Sequence, residues 1–208
     1  MRIISHRGYW KDASEKNQPL AFERSFSLGY GTETDLRDYN RQLVIAHDMA
    51  DENSISLNDF FSIYKKAGGH LPLALNIKAD GLQNVLNDRL AEFKIDDYFV
   101  FDMSIPDTIQ YMKLGIRFFS RQSEYEREPV FYDKCSGVWL DAFTGTWYDL
   151  SIVEDHAKKN KQVAIVSPEL HKRDQLPFWE QLKKEKIHLI DNTILCTDFP
   201  EDAEAFFK

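Results

Sequence analysis

Three polar clusters near the start of the chain carry side chains that could do chemistry. They are His6-Arg7, Glu33-Thr34-Asp35 and His47-Asp48, each lying in or just after a short apolar run typical of a strand. Because side chains alternate along a strand, Glu33 and Asp35 point to one face and Thr34 to the other. Two neighbouring carboxylates repel unless a cation lies between them, so the pair indicates a hard, oxygen-liganded metal ion. Alone such a pair is more often a solvated strand face, but three polar strand ends together favour phosphoryl chemistry.

The elements that must position these clusters alternate regularly along the chain. Strand-like runs lie near residues 2–5, 32–36, 43–46, 73–77, 98–102, 117–120, 137–140, 162–166 and 188–190. Helical periodicity covers residues 19–28, 57–67, 81–93, 105–114, 148–159 and 176–184. This alternation predicts a parallel α/β sheet with covering helices. Because the chain lacks a glycine-rich dinucleotide motif, the pattern favours a compact (β/α)8 TIM barrel in a single domain, residues 1–208, over a doubly wound sheet.

Composition narrows the class of protein. The 208 residues are 43% hydrophobic and 29% charged, as in an ordinary globular domain with a sizeable core. A formal net charge of -8 argues against a nucleic-acid partner. No apolar run approaches the length of a transmembrane helix and no signal-peptide pattern opens the sequence, so a cytoplasmic location is expected. Cys135 and Cys196 fit no metal-binding spacing and are interpreted as buried free thiols.

The clusters and the segments around them resemble the glycerophosphodiester phosphodiesterase family. That family has H-R-G at its first strand, E-N-T-x-x-A-F entering the first helix, E-x-D on the second strand and H-D soon after. The matching residues here are His6-Arg7-Gly8, Asn17 with Ala21-Phe22, Glu33-Thr34-Asp35 and His47-Asp48. The family's closing T-D-x-P-D is matched by Thr197-Asp198-Phe199-Pro200 followed by Glu201-Asp202. The resemblance implies the TIM barrel, a divalent cation, Ca²⁺ or Mg²⁺, and a role in lipid metabolism.

Two departures from the family pattern stand out. The family carries E-x-K at its third strand, with the Glu as a third metal ligand, but here Asn76 precedes Ile77-Lys78. An Asn carbonyl can coordinate Ca²⁺ or Mg²⁺ without adding charge, so a lower metal affinity is expected. The family also often inserts a small cap subdomain after H-D. Only residues 49–56 separate His47-Asp48 from the next helix, so we expect no cap.

The resemblance and the chemistry together assign roles. A phosphodiester must gain a nucleophile, lose an alkoxide and have its anionic oxygens neutralised. His6 and His47 are the predicted acid–base pair, because an imidazole pKa near 6.5 allows both protonation forms at working pH. Glu33 and Asp35 are the predicted metal ligands, and Arg7 and Lys78 are predicted to bind the phosphate. Which histidine is the acid stays open.

Three further residues are candidates because chemistry in such barrels collects at the carboxyl ends of strands. Asp102 and Asp141 each follow a strand-like run, and either could supply the acid missing at Asn76. Trp139 is a candidate for substrate binding, although core packing is the commoner role for a strand tryptophan. His171 has no partner pattern in the sequence and is taken as structural.

The implied reaction is hydrolysis of a small-molecule glycerophosphodiester to an alcohol and glycerol phosphate. Two alternatives remain. One is a sphingomyelinase-D-like phosphodiesterase that releases a cyclic phosphate. The other is a catalytically weakened barrel that binds a phosphate ligand, an alternative motivated by Asn76. The alcohol, the preferred ion and the oligomeric state stay open, with a homo-oligomer possible.

Overall fold

A computed structural model describes residues 1–208. Its strands are β1 (Arg2–His6), β2 (Gly31–Tyr39), β3 (Gln42–Ile45), β4 (Ile55–Ser56), β5 (Leu73–Ile77), β6 (Tyr98–Phe101), β7 (Phe119–Gln122), β8 (Gly137–Leu140), β9 (Gln162–Val166) and β10 (Thr193–Thr197). Its α-helices are α1 (Pro19–Ser27), α2 (Leu57–Lys66), α3 (Gln83–Glu92), α4 (Ile105–Lys113), α5 (Ser151–Lys158), α6 (Leu176–Lys184) and α7 (Pro200–Phe207). None of these helices is long and apolar enough to cross a membrane.

The contacts divide the chain into two compact units. The N-terminal unit is Ser5–Phe118, and the C-terminal unit is Phe119–Lys208 together with Met1–Ile4. Strand β1 therefore begins in one unit and ends in the other. Each unit is a β/α arrangement with its own buried core.

In the N-terminal unit, β2 lies between β3 and β5. It pairs antiparallel with β3, Leu36 opposite Ile45, and parallel with β5, Asp35 opposite Asn76. Strand β5 in turn pairs parallel with β6. Helices α1 and α2 pack through aromatic contacts, for example between Phe22 and Phe60, whose ring centroids lie 4.7 Å apart. Buried aromatic pairs of this kind fix how the helices lie against each other.

In the C-terminal unit, β7, β8, β9 and β10 pair in that order, all parallel. Their side chains are almost entirely buried, as expected for parallel strands covered by helices. The core joins β8, β9 and β10 to α5 and α6 through a cluster that includes Val138, Ile165, Trp179 and Leu195. Cys135 and Cys196 are buried and form no disulfide, as predicted.

The predicted strands and helices are confirmed except for one strand, and two elements were missed. A strand was predicted at residues 188–190, but Ile187–Leu189 forms a 3-10 helix and the strand is β10, five residues further on. Leu189 is 65% exposed, so the apolar residues at this point do not form a buried strand face. Strand β4 and helix α7 were also missed. Between β3 and β4 lie only residues 46–54, so the cap subdomain is absent, as predicted.

Candidate active site

The end of β1 is held over β2 by an unusual backbone. Arg7 has a φ of 60° and Gly8 a φ of 80°, both in the left-handed region that favours glycine. The Arg7 N–H donates to the Glu33 carbonyl at 2.9 Å. A Cβ on Gly8 would lie 2.7 Å from the Ala21 Cβ, so only glycine fits against α1 here. The turn therefore fixes His6 and Arg7 beside β2.

Asp35 is a fully buried carboxylate surrounded by donors. Its Oδ2 lies 3.0 Å from Arg7 Nε and accepts a 2.9 Å hydrogen bond from Asn17 Nδ2. Its Oδ1 lies 3.4 Å from Lys78 Nζ. Burial acts to raise the pKa of Asp35, but the charges of Arg7 and Lys78 and the Asn17 hydrogen bond outweigh it and hold the pKa below its ordinary value. Asp35 is therefore ionised in the folded chain.

Glu33 lies in the opposite electrostatic situation. It is 2% exposed, its Oε2 has no hydrogen-bond donor, and the nearest ion-pair partner, His6 Nε2, is 3.9 Å away. Burial, and then the charge of Asp35, raise the pKa of Glu33 to about 8. The strand period that placed both carboxylates on one face predicted this repulsion. A bound cation would lower the pKa of Glu33 again, because a positive charge favours the ionised carboxylate.

Asn76 adds a third oxygen beside this pair. It lies opposite Asp35 on β5, is 7% exposed, and its Oδ1 has no hydrogen-bond donor. Buried, unsatisfied oxygens on Glu33, Asp35 and Asn76 are the type of ligand that Ca²⁺ and Mg²⁺ take, so these residues fit a hard divalent cation. No three His, Cys, Asp or Glu side chains come together to hold a metal. The ligand set therefore has two carboxylates and an amide in place of three acids.

His47 follows β3 on a more open part of the site. Its side chain is 44% exposed, and Nδ1 lies 2.9 Å from Asp48 Oδ1. Its carbonyl oxygen accepts hydrogen bonds from the Arg37 guanidinium at 3.1 and 3.2 Å. A charge on His47 helps to lower the pKa of Asp35, which puts the imidazole within electrostatic reach of that carboxylate.

The remaining candidates are distributed between the two units. Asp102 follows β6 with a φ of 66°, and its charge contributes to raising the pKa of Glu33. Asp141 and Trp139 belong to the C-terminal unit, where they are 6% and 4% exposed. Asp141 Oδ1 accepts hydrogen bonds from His171 Nε2 at 2.7 Å and from the Ala142 N–H at 2.8 Å. This Asp–His pair was not foreseen, because the two residues are thirty positions apart in the sequence.

The sequence analysis also gave no role to Asn17. Its amide bridges β2: Nδ2 donates to Asp35, and Oδ1 accepts from Thr34 Oγ1 at 2.9 Å. The residue has a φ of 60° and is 6% exposed. Asn17 lies in the turn between the 3-10 helix Ala13–Glu15 and α1. Asn is common in the left-handed region, so its type could have suggested the backbone conformation but not the contact with Asp35.

Solved structures share this architecture over almost the whole chain. A protein from Galdieria sulphuraria assigned as a glycerophosphodiester phosphodiesterase is 15% identical, with a TM-score of 0.79 over 99% of this chain and 97% of that one. The glycerophosphodiester phosphodiesterase from Agrobacterium tumefaciens is 14% identical, with a TM-score of 0.72 over 100% and 98%. A Ca²⁺-dependent phosphatidylinositol-specific phospholipase C from Streptomyces antibioticus is 8% identical, with a TM-score of 0.56 over 100% and 96%.

No family model and no curated protein sequence matches the chain. Identities of 8–15% establish the fold and not the activity. The likeness confirms the predicted fold class: the chain has the (β/α)8 TIM-barrel fold of the glycerophosphodiester phosphodiesterases.

Proposed function

We propose that this chain is a divalent-cation-dependent phosphodiesterase. It hydrolyses a glycerophosphodiester, or a related small diester, to an alcohol and a phosphomonoester. The observation that carries the proposal is the buried pair Glu33 and Asp35, with unsatisfied oxygens and opposite pKa shifts, set beside His6 and Arg7. A folded protein keeps two such carboxylates together at a cost in stability, which is typical of a functional site. The similar fold of known phosphodiesterases supports the same activity.

Glu33 and Asp35 would hold the cation, with Asn76 or Asp102 as the third ligand. When bound, a Ca²⁺ or Mg²⁺ ion supplies positive charge against the phosphoryl oxygens and favours deprotonation of a water nucleophile. The named dependence of the Streptomyces phospholipase C on Ca²⁺ supports calcium for this fold. Two carboxylates and one amide provide less charge than three carboxylates, so we expect weak affinity and a need for added cation.

Arg7 and Lys78 bind the substrate phosphate. Their side chains are 20% and 22% exposed, so each can reach a ligand while remaining close to Asp35. Arg7 offers a planar fork of donors to two phosphate oxygens, and Lys78 a point charge. Both cations also keep Asp35 ionised, so the same groups hold the metal ligand and the substrate.

The two histidines move protons at the reacting oxygens. The Nδ1–H of His47 donates to Asp48, which leaves Nε2 as an acceptor for the proton of the attacking water. We therefore assign His47 as the base. We assign His6, whose Nε2 lies 3.9 Å from Glu33 Oε2, as the acid that protonates the leaving alkoxide.

The test is turnover of a panel of glycerophosphodiesters by the His6→Ala and His47→Ala variants. Each loss of a general acid or base is expected to lower kcat by about 10²- to 10⁴-fold. His70→Ala, at an exposed histidine of the N-terminal unit, is the matched control and should keep full activity. Chelation should abolish turnover, and added Ca²⁺ or Mg²⁺ should restore it. Full activity in either site variant would refute the two-histidine mechanism.

A second candidate is a barrel that binds a phosphate ligand without efficient turnover. Asn76 favours it, because no third acid completes a cluster of acidic ligands. Calorimetry with Ca²⁺ and Mg²⁺, followed by the diester panel, separates the two candidates, since a binding barrel takes up metal and phosphate but releases no alcohol. Phosphorus NMR of the products distinguishes a phosphomonoester from the cyclic phosphate of a sphingomyelinase-D-like reaction.

A further inference from the structure

A cavity of about 290 Å³ lies in the N-terminal unit, and none of its lining residues belongs to the site described above. Three elements form it: the turn and first residues of β3, the start of α2 and one face of α3. Val44 of β3 pairs with Ser56 of β4, which brings the β2–β3 turn beside the first turn of α2. The lining includes Arg41, Leu43, Leu57, Asn58, Val85 and Arg89. We call it the Arg41–Arg89 cavity.

The charge of this lining is opposite to that of the whole chain. The chain carries a formal net charge of -8, yet two arginines and no carboxylate line the cavity. Asp59, on the first turn of α2, is not part of the lining, and its Oδ2 accepts a 2.6 Å hydrogen bond from Ser56 Oγ. The cavity therefore attracts an anion, although the chain as a whole repels one.

Arg41 occupies a position where the backbone favours glycine. Tyr39 pairs with Gln42, so Asn40 and Arg41 form a two-residue hairpin turn, with φ values of 48° and 65°. Hairpin turns with a positive φ at both residues prefer Asn followed by Gly. An arginine here gives the turn a strained backbone, and strain of this kind is typical of positions whose side chain has a function.

Arg89 brings the second guanidinium to the cavity from α3. It lies four residues after Val85, so the two side chains share the helix face that lines the cavity. Its Nη1 lies 2.6 Å from Glu92 Oε2 on the next turn, and this ion pair holds one end of the guanidinium. Its Nε is buried and has no acceptor in the protein. The planar group therefore keeps donors for a ligand while it is held in place.

The lining defines the class of ligand. Two guanidinium groups from different elements suit the several oxygens of a phosphate dianion, which accept forked pairs of hydrogen bonds from arginine. The side-chain amide of Asn58 can donate a further, neutral hydrogen bond. Leu43, Leu57 and Val85 add an apolar wall for a short organic group. A volume of about 290 Å³ is at the lower end of small-molecule pockets, which excludes a polymer.

We propose that the Arg41–Arg89 cavity binds the phosphate group of a small phosphomonoester. The site is separate from Arg7 and Lys78, and its existence does not depend on the proposed function.

A site-resolved titration of the full chain with inorganic phosphate tests the proposal. In amide NMR spectra, phosphate should move the signals of Leu57 and Asn58 in the wild type and equally in Lys78→Met, which alters only the other phosphate site. Arg41→Gly and Arg89→Gln should each weaken this response about 10- to 100-fold, the value of one lost charge-assisted hydrogen bond. Ethyl phosphate should bind more tightly than inorganic phosphate, and equal affinity would contradict the assignment to a phosphomonoester.

Two variants serve as controls. Arg117→Gln changes an exposed arginine of the same unit outside the cavity and should respond as the wild type does. Arg89→Lys keeps the charge but not the fork, so it should weaken binding less than Arg89→Gln.

The fold of Arg41→Gly is checked by urea unfolding in phosphate-free buffer. Glycine fits a φ of 65°, so this variant should be at least as stable as the wild type, and a lost phosphate response then reports the missing side chain. Wild-type responses of Leu57 and Asn58 in both Arg41→Gly and Arg89→Gln, or no response in the wild type, would overturn the proposal. Neither result affects the proposed function, which is tested at His6 and His47.

Discussion

Gly8 offers a direct test of how the turn after β1 holds the site, through the change Gly8→Ala. Its φ of 80° costs a residue with a Cβ about 1–2 kcal/mol. The new Cβ would also lie 2.7 Å from the Ala21 Cβ and 2.9 Å from the Ala21 carbonyl carbon, and overpacking of this kind costs about 1–3 kcal/mol more. We therefore expect Gly8→Ala to lower the free energy of unfolding by about 2–5 kcal/mol.

Two other glycines separate the two contributions. Gly29 has a φ of 85° but open space where its Cβ would lie, so Gly29→Ala should lose only the conformational part, about 1–2 kcal/mol. Gly145 has neither a positive φ nor a close neighbour, so Gly145→Ala should stay within about 0.5 kcal/mol of wild type. Urea unfolding of the three variants, with equal m values, gives the comparison.

The order of the three variants is the critical result. If Gly8→Ala is no less stable than Gly29→Ala, α1 does not press against the turn and the steric argument is wrong. Because Gly8 N–H also donates to Thr32 Oγ1 at 2.9 Å, a displaced turn should move Arg7 and lower turnover of a diester. Full activity with a large loss of stability would show that the turn holds the fold but not the site.

Three further predictions concern the carboxylates. The pKa of Glu33 is raised from 4.5 to about 8 in the folded chain, so protonated Glu33 stabilises the fold fully below pH 4.5, and this stabilisation is lost as the pH rises to about 8. Urea unfolding in the presence of a chelator should show this decline for the wild type and not for Glu33→Gln. Asn17→Gly removes the donor to Asp35 but tolerates the φ of 60°, so its free energy of unfolding should fall by about 1.5–3 kcal/mol. Asn17→Ala should lose about 1–2 kcal/mol more, because alanine does not tolerate this φ, and equal losses would refute the backbone argument. Lys78→Met should raise the pKa of Asp35, destabilise the protein at pH 7 by about 1–3 kcal/mol and weaken binding of inorganic phosphate. Lys78→Arg should keep most of the stability and of the phosphate binding. Unfolding at several pH values measures the first, and calorimetry the second.

The local pattern of the sequence was sufficient to find the carboxylates and the strand that carries them. The alternation of Glu33, Thr34 and Asp35 depends on the period of a strand, which is set by backbone geometry within a few residues. The same is true of the helices, whose apolar spacing and caps are local. The resemblance at His6-Arg7-Gly8 and His47-Asp48 added the fold, which the solved structures confirm.

Other features needed the tertiary structure, because they depend on residues far apart in the chain. The sequence could not show that Asp35 has two cations and an amide close to it, which lower its pKa, or that burial and the charge of Asp35 raise the pKa of Glu33. The pairing of Asp141 with His171 is likewise a contact between side chains that long-range packing brings together. Strand periodicity fixes the direction of a side chain, but burial and the sum of nearby charges are set by the neighbours that the fold supplies.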